Sequence, residues 1–140
     1  DFEKVKEKTK DNPVYYVQYA YARINSILRT LNKNLDEKIL VSSKLFSPNN
    51  HEEKIIRKIF EWPKIIESSV YKLEPHKIPF YLYELSTLFH SYWSKGNEDE
   101  KYKFIKDGKA DESIIIILKL ILIVLQNGMN ILNVSLPNKM

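Results

Sequence analysis

Tyrosine and arginine recur on one side of the first strongly periodic segment of the sequence, which reads DNPVYYVQYAYARI over residues 11–24. Tyr16, Tyr19 and Arg23 are spaced i, i+3 and i+7, so at about 100° per residue they share one sector of a helix. The rings of tyrosine stack on nucleobases, and a guanidinium reaches phosphates or base edges. This tyrosine–arginine stripe therefore suits a planar, anionic ligand.

A packing role is the competing interpretation of the same stripe. Half-buried tyrosines commonly cover apolar surface with the ring while the hydroxyl stays in water. An apolar stripe from Val17 to Leu31 occupies the neighbouring sector of the helix, and the tyrosine–arginine stripe lies at its border. Tyr15 and Tyr21 are predicted to point elsewhere. The residue pattern alone favours packing and leaves binding open.

The elements that would position these side chains are predicted to be all α-helical. The chain has 140 residues, which points to one domain, and its 44% apolar content can supply a core. Three glycines are too few for a turn-rich β architecture. The periodic segments predict a bundle of about five helices, over residues 13–31, 35–46, 51–73, 76–93 and 111–132.

Proline, glycine and asparagine mark the predicted breaks between these helices. Asp11 or Asn12 is expected to cap the first helix, because their side-chain oxygens accept from the first free backbone N–H groups. Pro63 is expected to kink or split the segment 51–73. Gly96 is expected to close the helix over 76–93, and a polar surface connection should follow it.

Catalytic and metal chemistry have no candidate residues in this sequence. There is no cysteine, the three histidines lack ligand spacing, and the three glycines are isolated and form no phosphate loop. Surface or capping roles are expected for the histidines. The net charge of +4 permits a polyanionic partner without requiring one. The apolar run over 114–125, interrupted by Lys119, is short of the roughly 20 residues of a membrane span and predicts a buried helix.

Three stretches are similar to one known family. DNPVYYVQYAYARINSILR (11–29) closely resembles the opening of the C-terminal anticodon-binding domain of arginyl-tRNA synthetases, the DALR domain. EPHKIPFYLYELSTLFHSYW (74–93) is similar to the family's Glu-Pro-His helix with its aromatic end. VLQNGMNILNVSLPNKM (124–140) resembles its C-terminal run, which ends in Met. The stretches occur in the family's order and cover most of the chain.

The resemblance implies a role within a larger enzyme. A class I synthetase of this kind joins arginine to its tRNA with ATP and Mg²⁺, and its catalytic Rossmann domain precedes the anticodon-binding domain. The two class I ATP-site motifs, His-Ile-Gly-His-like and Lys-Met-Ser-Lys-like, do not occur here. Residues 1–140 are thus expected to form a single anticodon-binding domain. This domain would be cytoplasmic, without a membrane, a cofactor or catalysis of its own. It would bind arginine tRNA beside its own catalytic domain.

The resemblance also implies which residues approach the anticodon loop. The matching positions are Tyr16, Tyr19, Arg23, Trp93 and Met140. Tyr92, one residue before Trp93, is an open alternative for the aromatic position. A different class of function also stays open on the residues alone, namely a non-catalytic helical protein-interaction module with a tyrosine-rich groove.

Overall fold

Five α-helices make up most of the described chain. The computed structural model describes residues 12–33 and 47–140. The helices are α1 (Pro13–Thr30), α2 (Asn50–Phe60), α3 (Trp62–Tyr71), α4 (Lys77–Glu98) and α5 (Glu112–Ile131). A 3-10 turn, Glu100–Tyr102, follows α4. The predicted all-α class is confirmed. The helix predicted over 35–46 lies outside the described residues.

Asparagine side chains and backbone set the ends of α1. Asn12 is the N-cap, and its side-chain oxygen accepts from the backbone N–H of Val14 at 3.0 Å. At the other end Asn32 adopts a left-handed φ of 54°. The backbone N–H of Lys33 then donates to the carbonyl of Leu28 at 2.8 Å, which closes the helix in the manner of a Schellman motif.

The segment predicted over 51–73 is split into α2 and α3, as Pro63 indicated. The break falls at Glu61, and Pro63 lies in the first turn of α3, where its missing N–H has no helical partner to lose. A capping box starts α2. The side chain of Asn49 accepts from the backbone of Glu52 at 2.9 Å, and the Glu52 carboxylate accepts from the backbone of Asn49 at 3.1 Å.

Helix α4 continues past its predicted end, so the prediction that Gly96 closes it is wrong. Gly96 lies inside the helix and is buried. A Cβ atom at this position would lie 2.7 Å from the backbone carbonyl oxygen of Tyr102, in the 3-10 turn. The glycine is therefore used for a close backbone approach between α4 and the turn, and not for helix termination.

Substituting Gly96→Ala should lower the free energy of unfolding by about 1–3 kcal/mol, the usual cost of overpacking. In an open helix interior the same change would stabilise by roughly 1 kcal/mol. Here the new methyl group meets backbone, which cannot rotate away. Urea denaturation checks this, with Ser91→Ala on the exposed face of α4 as the control. A gain in stability for Gly96→Ala would contradict the close approach.

The most apolar helix, α5, supplies the centre of the core. Its side chains Ile121, Leu122 and Leu125 are fully buried. The helix has 20 residues and a mean hydropathy of 2.1 over its most apolar window, so by length and composition alone it is able to cross a membrane. In the fold 56% of that window is buried against the other helices. The prediction of a buried helix over 114–125 is confirmed.

Helices α1 and α4 pack side by side and position the tyrosine–arginine stripe. The buried face of α1 is formed by Val17, Ala20, Ile24 and Leu28, which are at most 2% exposed. Tyr21 also lies in this core. The tyrosine–arginine stripe is half-buried beside this face, at the border where the helical periodicity put it.

Candidate nucleic-acid interface

A cleft runs along the seam between α1 and α4. Its first part, here called the aromatic half, has a volume of about 400 Å³. Tyr15, Tyr16, Tyr19 and Arg23 line it from α1, and His90 and Trp93 line it from α4. The tyrosine–arginine stripe and the predicted aromatic position at the end of the later helix therefore face one space.

His90 forms the floor of the aromatic half. Its ring centroid lies 4.5 Å from that of Tyr16 and 5.3 Å from that of Tyr19. Tyr83, two turns before His90 on α4, contacts Tyr16 at 5.2 Å between ring centroids. Burial raises the pKa of Tyr16, and a hydrogen bond with the side chain of Thr87 opposes this shift. Tyr16 thus stays neutral, with its hydroxyl able to donate.

Arg23 lies between two aromatic rings. Its guanidinium carbon is 4.9 Å from the ring centroid of Tyr19 and 5.5 Å from that of Trp93, and its Nη2 donates to the Tyr19 hydroxyl. A cation over an aromatic face is attracted by the ring quadrupole. Phe104 supports Trp93 from behind, edge to face at 5.3 Å. These contacts hold both rings and the cation in defined places.

Of the two candidates for the aromatic position, Tyr92 faces the interior and Trp93 lies on the cleft. Tyr92 is 2% exposed, and its hydroxyl accepts from the side-chain amide of Asn49 at 3.1 Å. Its ring stacks on His51 at 5.3 Å. Burial raises the pKa of Tyr92 to about 12. Trp93, in contrast, is half-buried on the cleft.

The second part of the cleft, here called the basic half, continues toward the end of α1 and has a volume of about 470 Å³. It shares Tyr19, Arg23 and Trp93 with the aromatic half, so the two halves are continuous. Arg29 and Met140 also line it. All five predicted site residues therefore line one continuous cleft.

The C-terminal segment reaches the cleft because it lies back along α1. The side-chain amide of Gln18 donates to the carbonyl of Ser135 at 2.8 Å, and Nη1 of Arg29 donates to the carbonyl of Asn138 at 3.3 Å. These two bonds place Met140 beside the last turns of α1, with its side chain half-exposed.

Two ring-bearing residues of the aromatic half were missed by sequence reasoning. Tyr15 lines the aromatic half, so the prediction that it points elsewhere is wrong. Its spacing of four from Tyr19 and eight from Arg23 was a sufficient signal. His90 was expected at the surface or in a cap, yet it contacts two tyrosine rings. Its position three residues before Trp93 on the same helix pointed to a shared face.

The rings that line the cleft are suited to stacking on a ligand, and the cations that line it are suited to binding an anion. Among residues 12–33 and 47–140, no group of three or more histidine, aspartate and glutamate side chains is arranged to hold a metal ion. Rings and cations line the cleft instead. This combination matches sites that bind single-stranded nucleic acid, where bases stack on aromatic rings and cations follow the backbone.

The sequence matches the DALR anticodon binding domain over residues 17–140. The chain belongs to this family. The arginine–tRNA ligase of Pelagibacter ubique is 50% identical over 141 residues, covering 100% of this DALR chain and 24% of that protein. The arginine–tRNA ligase of Roseobacter denitrificans is 38% identical over 146 residues, covering 100% of the chain and 25% of that protein. The chain thus spans about a quarter of the length of these relatives.

A solved structure supports the DALR fold independently. The crystal structure of a Campylobacter jejuni protein assigned as an arginyl-tRNA synthetase superposes with a TM-score of 0.77. The match covers 100% of this chain and 29% of that protein, at 24% sequence identity. At this identity the similarity establishes the helical arrangement of the DALR domain, which agrees with the family resemblance in the sequence.

Proposed function

We propose that this chain binds the anticodon stem-loop of arginine tRNA as the anticodon-binding domain of an arginine–tRNA ligase. The observation that carries the proposal is the convergence of the tyrosine–arginine stripe, Trp93 and Met140 on one cleft. Membership of the DALR family supports it, as do relatives named for arginine–tRNA ligation.

Recognition would proceed by stacking and by charge. Sequence-specific RNA binding targets unpaired loop bases, which are splayed out and stacked on aromatic rings or guanidinium planes. Tyr16, Tyr19 and Trp93 supply the rings, and Arg23 supplies a guanidinium between two of them. Met140 supplies a flexible, polarisable thioether that lies along a base without requiring one geometry.

The arginylation chemistry would belong to the rest of a longer polypeptide. Residues 1–140 would form one domain, and a class I Rossmann domain of the same chain would use ATP and Mg²⁺ to join arginine to the tRNA. The enzyme would act in the cytoplasm and would not associate with a membrane. Within that enzyme, this domain contributes by binding the anticodon end and so positioning the distant acceptor end.

The 140-residue chain alone should neither charge tRNA with arginine nor exchange pyrophosphate with ATP. The physical reason is that the sequence has no glycine-rich loop or class I motif to hold the phosphates of ATP. Radiolabelled arginine transfer and pyrophosphate exchange measure this, with an active full-length arginine–tRNA ligase as positive control. ATP-dependent arginylation by the purified chain would contradict the proposal that catalysis belongs to another domain of the polypeptide.

Selectivity among tRNAs tests the proposed function itself. In competition at one salt concentration, arginine tRNA should displace a labelled arginine anticodon stem-loop better than a tRNA for another amino acid does. Footprinting should show protection of the anticodon loop and not of the acceptor stem. A protein-interaction module with a tyrosine-rich groove would show no preference for any tRNA, and that result would overturn the proposal.

A further inference from the structure

The two halves of the cleft differ in charge. In the aromatic half the lining cation is Arg23, which is held between rings. The basic half adds Arg29 and Lys139. None of the described residues that line either half is acidic. The described side chains that line the cleft therefore include cations and no acidic group, and an anionic ligand is attracted to them.

Arg29 and Lys139 are brought together by a specific contact. Arg29 lies in the last turn of α1, and its Nη1 donates to the carbonyl of Asn138, the residue before Lys139. A guanidinium has five N–H donors in a planar fork, and this bond uses one of them. The bond therefore orients Arg29 and holds Lys139 nearby, while further donors are left for a ligand.

A purely structural role accounts for only part of this arrangement. A cation in the last turn of a helix is stabilised by the helix dipole by about 0.3–1 kcal/mol, which explains Arg29 by itself. The dipole gives no reason for a second cation, Lys139, to line the same half of the cleft from a different segment of the chain. An anionic ligand explains both positions.

We propose that Arg29 and Lys139 bind a phosphodiester group of single-stranded RNA whose base lies in the aromatic half. This inference rests on the proposed function and adds to it a phosphate subsite. Because Tyr19, Arg23 and Trp93 belong to both halves, a base stacked among them would lie next to the basic half, within reach of Arg29 and Lys139 through its adjoining phosphate. The cleft then reads a base at one end and neutralises the adjoining phosphate at the other.

Salt dependence separates a phosphate contact from a base contact. For single-stranded nucleic acid, each phosphate neutralised contributes about −0.7 to the slope of log affinity against log salt. The double variant Arg29→Gln/Lys139→Gln removes the contact to one phosphate and should therefore reduce the magnitude of the slope for arginine tRNA by about 0.7, measured by fluorescence anisotropy between about 50 and 200 mM KCl. A slope equal to that of the wild type would overturn the phosphate subsite.

A matched control removes the same charge away from the cleft. Arg57 on α2 is exposed and pairs with Glu53 at 2.7 Å, and Lys64 on α3 is exposed. The variant Arg57→Gln/Lys64→Gln should keep the wild-type slope. If it lowers the slope as much as the cleft variant does, general net charge is responsible and the subsite is rejected. The charge-preserving swap Arg29→Lys/Lys139→Arg should keep the slope.

The same titrations distinguish the subsite from the proposed function. Tyr19→Ala should weaken binding at every salt concentration and leave the slope unchanged, because it removes a stacking ring and no charge. If the wild type fails to prefer arginine tRNA, the proposed function falls, while the slopes for any bound RNA still decide whether Arg29 and Lys139 contact phosphate.

Discussion

Replacing Tyr16 and Trp93 together by alanine should weaken binding of arginine tRNA by about 2–6 kcal/mol, because one base–aromatic stack contributes about 1–3 kcal/mol. The two rings lie on different helices and face the same cleft from opposite sides. Neither ring contacts the other directly, so the two effects should add approximately. Each single variant should lose about half as much, measured by anisotropy at one salt concentration.

Three controls separate loss of stacking from loss of fold. Tyr71→Ala removes a tyrosine that is 82% exposed at the end of α3, away from the cleft, and should bind like the wild type. Tyr92→Phe changes the buried neighbour of Trp93 and should also bind normally. Trp93→Phe keeps a ring and should lose less than Trp93→Ala.

Thermal unfolding shows whether each variant is folded at the temperature of the binding assay. A folded double variant with wild-type affinity would show that Tyr16 and Trp93 contribute to packing and do not stack on the RNA. The protein-interaction module would then be the better reading of the tyrosine-rich cleft, since its groove does not depend on base stacking.

Local signals in the sequence were sufficient where a residue's role depends on its own helix. Asp11 or Asn12 was predicted as the cap because a side-chain oxygen just before Pro13 satisfies a free N–H, and Asn12 makes this bond. The tyrosine–arginine stripe was predicted at the core border because the apolar periodicity fixes the direction of every side chain on α1. The family resemblance then indicated its partner at the end of the later helix.

Predictions failed where a second element decides the outcome. Glycine after lysine is a normal end of a helix, but Gly96 serves the approach of the Tyr102 carbonyl, which no local pattern reveals. The prediction that Tyr15 points away from the stripe used only its angle to the apolar face of α1. The cleft is bounded by the neighbouring helix α4, and Tyr15 reaches it because α4 brings His90 and Trp93 to that side of α1.

The choice between Trp93 and Tyr92 shows the same limit at finer scale. Adjacent helical residues point about 100° apart, so one of the two must face away from the cleft. The sequence does not say which, because both are aromatic and both sit at the end of an apolar pattern. The hydroxyl of Tyr92 finds a half-buried partner in Asn49, whereas Trp93 packs on Phe104 and faces Arg23.

Phe89→Ala should lower the free energy of unfolding by about 3–5 kcal/mol, because truncating a buried phenylalanine loses apolar contact and leaves a cavity. The ring is fully buried and lies 5.2 Å from that of His90 and 6.4 Å from that of Phe104. His90 is the floor of the aromatic half, and Phe104 supports Trp93. The cavity would thus open directly beneath the cleft.

Urea denaturation measures this loss, and Phe80→Ala is the matched control. Phe80 lies on the same helix but is 66% exposed, so its truncation should change stability by no more than about 0.5 kcal/mol. A domain of ordinary stability, about 5–15 kcal/mol, keeps a folded majority after the loss at position 89. The affinity of the folded Phe89→Ala molecules for arginine tRNA can therefore be measured. Reduced affinity per folded molecule would mean that Phe89 holds His90 and Phe104, and through them the cleft, in place. Unchanged affinity would mean that the cleft residues keep their geometry through their own contacts, chiefly those of Arg23 with Tyr19 and Trp93. A stability loss below about 1 kcal/mol would contradict the tight packing of this layer.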